Sequence, residues 1–363
     1  MYVMGTPTTV GQLDPTSPDA PVAAHLGDPM REQRTLLTGA AVVDRSHRGV
    51  LALTGPERLS FLHNLTSQHL TALADGQGTR TLVLSPHGHV EHELWLAELD
   101  GTLWVDVEPG TVDDLVGFLT KMRFFTQVEI KPADLALYSV VGPGALSAVV
   151  RLGVAVPAEP DVLPVPEAKF HTGSVPPRPT SVYGLRPLPS ATGGTGGFLR
   201  RHALGDLPVV DLLLPRATAE QTLAELDLPR AGLWAYEAVR AAAKQARVGT
   251  DTDHRTLPSE VDLTAVAVHL EKGCYRGQET VARVHHLGRP PRALRLLHLD
   301  GIGTDELPAK GTEVTADGRT VGFVGTTARH AELGPIALAV LKRNISGETP
   351  LSAGESTAAI DPD

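Results

Sequence analysis

The chain of 363 residues has a single cysteine, Cys274. One cysteine cannot form an internal disulfide, and it cannot supply the roughly four thiolates that an iron–sulfur cluster normally requires. Secreted proteins held together by disulfides are therefore excluded. A cluster held by this chain would have to be shared with a partner or transient, and we expect a reducing, cytoplasmic location.

The sequence also lacks an excess of positive charge, a long apolar run and a secretion signal. Its formal net charge is −10, whereas nucleic acids and anionic lipids are bound through clustered lysine and arginine. No apolar run approaches the roughly 18 residues that cross a bilayer, and the N-terminus has no basic start followed by an apolar stretch. We therefore expect neither direct nucleic-acid binding nor membrane association.

Composition and periodicity divide the chain into four parts. Residues 1–37, rich in Pro, Thr and Asp, predict a disordered arm. Residues 38–285 carry helical patterns and the strands TLVLS, VEHELWLAEL and TLWVDV, which predict an α+β fold of two interleaved subdomains with a mainly antiparallel sheet. A Pro/Gly-rich loop is expected at about 152–200. Short strands around an Asp-Gly turn predict a small β-barrel over 286–350, followed by a tail at 351–363.

The most informative segment is KGCYRGQET, which contains Cys274. Gly273 and Gly277 allow tight turns, and the charges of Lys272 and Arg276 would favour the reactive thiolate. A lone cysteine is more often a small buried apolar residue. The polar, glycine-flanked context weakens that interpretation, and the residues alone leave both open.

The octapeptide from Lys272 to Glu279 resembles the signature of the YgfZ family, Lys-Gly-Cys-Tyr/Phe-x-Gly-Gln-Glu, whose members are folate-binding relatives of the glycine-cleavage T-protein. The segments DRSHRGVLALTGPERLSFLHNLTSQ and VGFVGTTARHAELGPIALAVLKR are similar to further parts of that family. The resemblance implies a T-protein-like ring of three subdomains around a central tetrahydrofolate site. It also implies a factor for the assembly or repair of iron–sulfur proteins, with folate and iron–sulfur client or assembly proteins as partners and an association with tRNA modification.

The same resemblance implies roles for the residues of the motif. Cys274 would be the reactive thiol, and Lys272 and Arg276 would activate it electrostatically. The residues that would shape the loop and contact folate are Tyr275, Gln278 and Glu279.

Folate binding also needs groups outside the motif, because a pterin requires hydrogen-bond acceptors and a glutamyl tail requires Arg or Lys. Glu237 and Arg240 lie three residues apart on a predicted helix and could face one pocket, although a surface ion pair explains the spacing slightly better. Asn64 is a weaker candidate, since an exposed or helix-bonded amide explains it equally well.

Two departures from the relatives affect the predicted chemistry. T-proteins carry paired aspartates where this chain reads GHVEHEL, with Glu91 and His92. This disfavours aminomethyl transfer, so a tetrahydrofolate-dependent aminomethyl or methyl transferase is the alternative to an accessory factor, and a scaffold that binds no folate is a third possibility. Relatives often place a pterin-binding glutamate two residues after the arginine matched by Arg240, whereas this chain has Ala242, so another carboxylate is needed.

A metal site is conceivable at His87, His89 and His92, because alternate strand residues share a face. Neither a neighbouring cysteine nor a recognised ligand spacing supports it, and a solvated strand face explains these residues equally well. We therefore predict no metal ligands.

Overall fold

The computed structural model describes residues 11–165, 175–189, 196–300 and 306–362. In chain order the strands are β1 (Ala41–Asp44), β2 (Gly49–Thr54), β3 (Gln77–Leu84), β4 (Val90–Leu99), β5 (Thr102–Val107), β6 (Glu129–Pro132), β7 (Leu135–Val141), β8 (Asp161–Val162), β9 (Ser181–Pro187), β10 (Phe198–Leu204), β11 (Leu207–Pro215), β12 (Arg230–Ala231), β13 (Arg292–Leu299), β14 (Glu313–Ala316), β15 (Arg319–His330), β16 (Gly334–Lys342), β17 (Leu351–Ala353) and β18 (Ser356–Ile360). The helices are α1 (Pro29–Thr38), α2 (Arg58–Leu65), α3 (Val112–Met122), α4 (Ala145–Val149), α5 (Ala219–Glu225), α6 (Leu233–Ala242), α7 (Thr264–Ala267) and α8 (Gln278–Leu287).

The first twelve strands form one long sheet in two halves. One half has the order β12-β1-β7-β11-β10-β9 and the other β3-β4-β5-β2-β6, with β8 beside β9. The halves join where β3 pairs with β9, opposite Tyr183. A Cβ atom on Gly78 would lie 2.0 Å from the Tyr183 ring, so this junction requires glycine.

Apolar faces decide where the helices pack. In the half that contains β4, Leu94 and Leu96 share a core with Leu115 and Leu119 of α3. The other half is covered on both sides, by α4 and α5 on one face and by α1 and α6 on the other. All seven residues of β7 are accordingly buried, as expected for a strand covered on both faces.

The C-terminal strands close a barrel in the order β13-β16-β15-β14-β17-β18. Asp317 and Gly318 form the turn between β14 and β15 with φ values of 48° and 73°, as expected for an Asp-Gly hairpin. The predicted α+β class and terminal barrel are confirmed. The tail predicted for 351–363 is wrong over 351–360, because the buried residues Leu351, Ala353 and Ala358 place β17 and β18 in the barrel.

The disordered arm predicted for 1–37 is wrong for residues 11–37, and residues 1–10 lie outside the described part. Helix α1 begins after Asp28, whose carboxylate accepts hydrogen bonds from the backbone N–H groups of Met30 and Arg31, a standard N-cap. Val22 and Leu36 are buried. A few apolar side chains in a polar, proline-rich segment are therefore enough to dock it on the sheet.

The long loop predicted at about 152–200 is interrupted by strands. It contains β8, all of β9 and the start of β10, and β9 supplies the junction between the two sheet halves. Part of the GGTGG run, residues 193–195, lies outside the described residues. The many prolines of the segment led to the prediction of a loop. Within β9 itself proline occurs only at the last position, so it does not interrupt the strand.

Candidate functional site

The two sheet halves and helix α6 meet around a central cavity. Its walls include Trp95, His202 and Tyr236 and many charged side chains. The arginines are Arg45, Arg48, Arg80, Arg200, Arg240 and Arg247, and the carboxylates are Glu93, Glu108, Asp211 and Glu237. Charged groups are costly to bury unless they are paired. A dense cluster of this kind indicates a polar binding site.

One side of the cavity is fixed by a buried ion-pair network on β10 and β11. Arg200 and Asp211 lie opposite one another in register, and Arg200 Nη2 donates to Asp211 Oδ2 at 2.9 Å. Arg200 also donates to Asp106. Burial opposes the charge of Asp211, but His202 and Arg200 hold its pKa well below the usual range. These groups are fully engaged with each other and serve as a scaffold.

Trp95 of β4 is in contact with two of these arginines. The guanidinium carbons of Arg80 and Arg200 are 4.5 and 4.6 Å from the centroid of its ring, within the range of cation–π attraction. Glu93, two residues earlier on the same strand, accepts a hydrogen bond from Arg80 Nε at 2.6 Å. The Trp95 ring and the Glu93 carboxylate are thereby held at the cavity wall.

Helix α6 brings Glu237 and Arg240 to the cavity together. Arg240 Nη2 donates to Glu237 Oε2 at 2.7 Å and Nη1 donates to Asp251 at 2.9 Å. Glu237 also lies 3.8 Å from Nη1 of Arg247. Burial opposes ionisation of Glu237, but Arg240 and Arg247 outweigh it and hold its pKa below the ordinary value. The result is an ionised carboxylate beside a guanidinium.

The N-terminal region reaches the same guanidinium. Arg247 donates to the two carboxylate oxygens of Asp19 at 2.8 and 2.5 Å, and from Nε to Glu108 at 2.6 Å. His47 Nε2 lies 3.2 Å from Asp19. Burial opposes the charge of Asp19, but Arg247 and His47 lower its pKa. Burial also opposes the negative charge of Glu108, but Arg48 and Arg247 lower the pKa of Glu108 to about 2.

Little space remains at the centre of this cluster. The free volume is about 40 Å³, enough for a few water molecules. A larger recess of about 320 Å³ lies beside it and is lined by Met30, Trp234 and again Glu237. Glu237 therefore lies where the cavity and the recess meet, and a ligand larger than water would require side chains of the cavity to move.

Cys274 lies at a different place, exposed in the turn before α8. Lys272, two residues earlier, is buried, and its Nζ donates to the carbonyl oxygens of His63, Thr66 and Gln68. Burial lowers the pKa of Lys272 to about 7. Three carbonyl acceptors match the three N–H groups of an ammonium. Lys272 therefore ties the cysteine loop to the end of α2, and its activation of the thiol stays a prediction.

The other predicted activator, Arg276, pairs with Glu91 at 3.0 Å. Glu91 is the extra residue of a β-bulge, because Val90 and His92 face consecutive residues of β3. Asn64 lines a recess of about 330 Å³ together with Cys274 and Arg276. Asn64, Cys274, Arg276 and the Glu91 paired with it form one surface, here called the cysteine surface. Glu91, the expected counterpart of the T-protein aspartates, thus belongs to the cysteine surface, whereas the acid of β4 in the cavity is Glu93.

The remaining motif residues also lie outside the cavity walls. Tyr275 is buried in an apolar cluster, and burial raises its pKa. Gln278 Nε2 donates to the carbonyl oxygen of Lys272 at 2.9 Å, and Glu279 is exposed in the first turn of α8. Of the six predicted folate contacts, the structure brings Glu237 and Arg240 to the cavity and places Asn64, Tyr275, Gln278 and Glu279 elsewhere.

Gly277 shows why the motif requires glycine at its sixth position. Its φ is +81°, and a Cβ atom there would lie 2.6 Å from the carbonyl oxygen of Ser85. The backbone at this point packs directly against the turn between β3 and β4. The loop that presents Cys274 is therefore held at both ends, by Lys272 and by Gly277.

The three histidines considered as metal ligands belong to the β3–β4 hairpin. The ring centroids of His87 and His89 are 6.0 Å apart, and burial lowers the pKa of His92. Within residues 11–165, 175–189, 196–300 and 306–362, no group of three or more His, Cys, Asp or Glu side chains is placed to hold a metal ion.

Most of the cavity residues were missed from the sequence. Trp95, Arg200, Asp211 and Arg247 come from segments far apart in the chain, and the cavity exists only once those segments have folded together. A partial signal was present, since Asp211 interrupts the otherwise apolar strand β11. A charge in such a strand indicates a buried partner but does not identify it.

No family model matches the chain. It is 27% identical over 336 residues to a chloroplastic protein of Arabidopsis thaliana whose name assigns it to the transferases, covering 89% of this chain and 70% of that protein. It is 24% identical over 302 residues to the aminomethyltransferase of Halalkalibacterium halodurans, covering 81% and 76%. Among solved structures, the glycine cleavage system aminomethyltransferase T from Bartonella henselae matches with a TM-score of 0.72 and 18% identity, over 92% of this chain and 88% of that one.

The chain has the aminomethyltransferase fold. This confirms the T-protein-like architecture expected from the sequence, whereas the narrower assignment to the YgfZ family stays a prediction. In the described part of the chain, no helix is long and apolar enough to cross a bilayer. One relative is chloroplastic, and a cytoplasmic location stays a prediction.

Proposed function

We propose that this protein binds a tetrahydrofolate in the central cavity and supports iron–sulfur proteins through Cys274 on a separate surface. The observation that carries the proposal is the ionised Glu237 carboxylate 3.8 Å from the Arg247 guanidinium on the cavity wall. A pterin edge presents an amino group and a ring N–H beside a carbonyl oxygen. A carboxylate accepts from the two donors and a guanidinium donates to the oxygen.

Other features of the cavity support the same ligand. Trp95 and Tyr236 provide aromatic rings for a flat heterocycle, and the arginines provide partners for a glutamyl carboxylate. The relatives named aminomethyltransferases and the shared fold make a folate the expected class. Bound tetrahydrofolate would supply a carrier for one-carbon units. Since the free volume is about 40 Å³, binding requires side chains at the wall to move.

The direct test is calorimetric titration of tetrahydrofolate into the reduced protein under anaerobic conditions. We expect micromolar or tighter binding by the wild type, about −8 kcal/mol, and a loss of at least tenfold in Glu237→Gln, which keeps the shape but removes the charge. Glu225→Gln is the matched control, because Glu225 is exposed at the end of α5. Absence of binding by the folded wild type would contradict the proposal.

The iron–sulfur role is supported by the complete motif and by the accessibility of its thiol. Cys274 is exposed beside Asn64 and Arg276, in a recess open to a partner. We expect Cys274→Ser to bind tetrahydrofolate like the wild type but to fail in restoring iron–sulfur enzyme activity to cells that lack the protein. Full restoration by Cys274→Ser would remove the cysteine from the proposal and leave a folate-binding protein.

A second candidate function is folate-dependent one-carbon transfer, and one observation favours it. Glu93 places a carboxylate in the cavity beside Trp95, on the strand where T-proteins carry their aspartates. The Glu93 carboxylate accepts a hydrogen bond from Arg80 at 2.6 Å, and this pairing argues against Glu93 as a catalytic base. Aminomethyl or methyl transfer to tetrahydrofolate that survives Cys274→Ser and is lost in Glu93→Gln would establish the enzyme.

A further inference from the structure

The loop over residues 14–21 places one carboxylate, that of Asp19, against Arg247 of the cavity wall. Successive turns close it through Ser17 N to Asp14 O, Ala20 N to Ser17 O and Val22 N to Asp19 O, at 2.8, 3.0 and 3.2 Å. Val22 is buried at its end, whereas most of the loop is exposed. Asp19 is the member that reaches inward, with both oxygens on the Arg247 guanidinium.

Asp19 differs from the other acids at Arg247. Glu108 is also held by Arg48, and Glu237 is also held by Arg240. Both therefore keep an arginine partner if Arg247 is engaged elsewhere. The other partner of Asp19 is His47, at 3.2 Å. Because Asp19 comes from a surface loop rather than from the sheet or α6, it can leave without breaking the ion pairs among the residues that line the cavity.

We propose that Asp19 is an internal competitor of the ligand, occupying the Arg247 N–H groups that a ligand oxygen takes when the loop is released. The inference rests on the proposed function, because it assigns to Arg247 the oxygen of the same pterin edge that Glu237 binds. Binding then requires the loop to open, and the observed affinity is reduced by the fraction of molecules in which it is open.

Removing the competitor charge tests the first half of this inference. In Asp19→Asn the charge-assisted pair with Arg247 is lost, and we expect tetrahydrofolate and tetrahydropterin each to bind about tenfold more tightly. Asp14→Asn is the matched control, since Asp14 lies in the same loop but its carboxylate, among the described contacts, accepts hydrogen bonds only from the neighbouring Thr16. Equal affinity of wild type, Asp19→Asn and Asp14→Asn would overturn the inference.

A reversible lock tests the second half without removing any charge. A Cβ atom on Gly110 would lie 3.5 Å from Cβ of Pro18, within the range spanned by a disulfide. We would introduce Pro18→Cys and Gly110→Cys together with Cys274→Ser, so that the two new thiols pair only with each other. The positive φ of Gly110, +76°, strains the oxidised and reduced forms alike and cancels in their comparison.

The locked protein gives the decisive outcomes. We expect the oxidised form to bind tetrahydrofolate at least tenfold more weakly than the same protein after reduction with dithiothreitol, because only the reduced loop can open. Equal binding by both forms would overturn the competitor role and leave folate binding intact. Absence of binding by the wild type, Asp19→Asn and the reduced protein would contradict the proposed function itself, and this inference with it.

Discussion

Replacing Lys272 with methionine tests whether this lysine is a structural anchor of the cysteine loop. The methionine side chain is similar in length to that of lysine, but it cannot make the three hydrogen bonds to backbone carbonyl oxygens at the end of α2. Hydrogen bonds from a charged group contribute about 1.5–3 kcal/mol each. Burial of the ammonium group carries a desolvation cost, which lowers the pKa of Lys272 to about 7. Methionine does not carry that cost, and this offsets part of the lost hydrogen-bond energy. We expect a net loss of about 2–4 kcal/mol in the free energy of unfolding.

Urea unfolding at pH 7, with the slope compared between variants, measures this loss directly. Lys121→Met is the matched control, because Lys121 is exposed on α3 and its replacement should change stability by less than about 0.5 kcal/mol. A loss of the same small size in Lys272→Met would refute the anchor. It would return Lys272 to the role predicted from the sequence, as an activator of the Cys274 thiol.

Three further changes have expected outcomes in the same unfolding assay. Arg200→Met removes the arginine that pairs with the buried carboxylates of Asp106 and Asp211 and should cost about 3–5 kcal/mol in the free energy of unfolding. A double variant with Asp211→Leu should recover part of that loss, and no recovery would contradict the pairing. The pKa of Glu108, about 2, lies below the unfolded value near 4.3, so the stability that Glu108 contributes is present above about pH 4.3 and is lost as pH falls toward 2. Glu108→Gln should therefore lose less stability than the wild type between about pH 4.3 and 2. An unchanged pH profile would contradict this role of Glu108. Gly277→Ala should lower the free energy of unfolding by about 2 kcal/mol or more, because the added Cβ meets backbone atoms. Gly273→Ala is the control and should be nearly neutral, because nothing lies within 4 Å of a Cβ there. Equal effects of the two changes would refute the close packing at Gly277.

Local patterns predicted the elements that are local in origin. The Asp317-Gly318 turn and the alternating strands around it carry their own geometry, so the hairpin and the barrel were predictable. The helical spacing of Glu237 and Arg240 likewise predicted that both could face one pocket, and in the structure both line the cavity and pair with each other.

Contacts between distant segments were not predictable in the same way. Asp19 meets Arg247 across 228 positions of the chain, and the proline-rich sequence around Asp19 has the composition of a disordered arm. Glu91 was matched by position to the T-protein aspartates, but a bulge in β4 places it at the cysteine surface. An insertion of one residue in a ladder changes which side chains face the cavity, and no periodic pattern reports it.

We expect folate to bind in the central cavity rather than beside Cys274. Hydrogen exchange of the wild-type protein with and without saturating tetrahydrofolate tests it most directly, since bound and unbound segments differ in amide protection. We expect increased protection in α6 and in β4 around Trp95, with residues 272–279 unchanged. Protection confined to residues 272–279, with α6 and β4 unaffected, would contradict it.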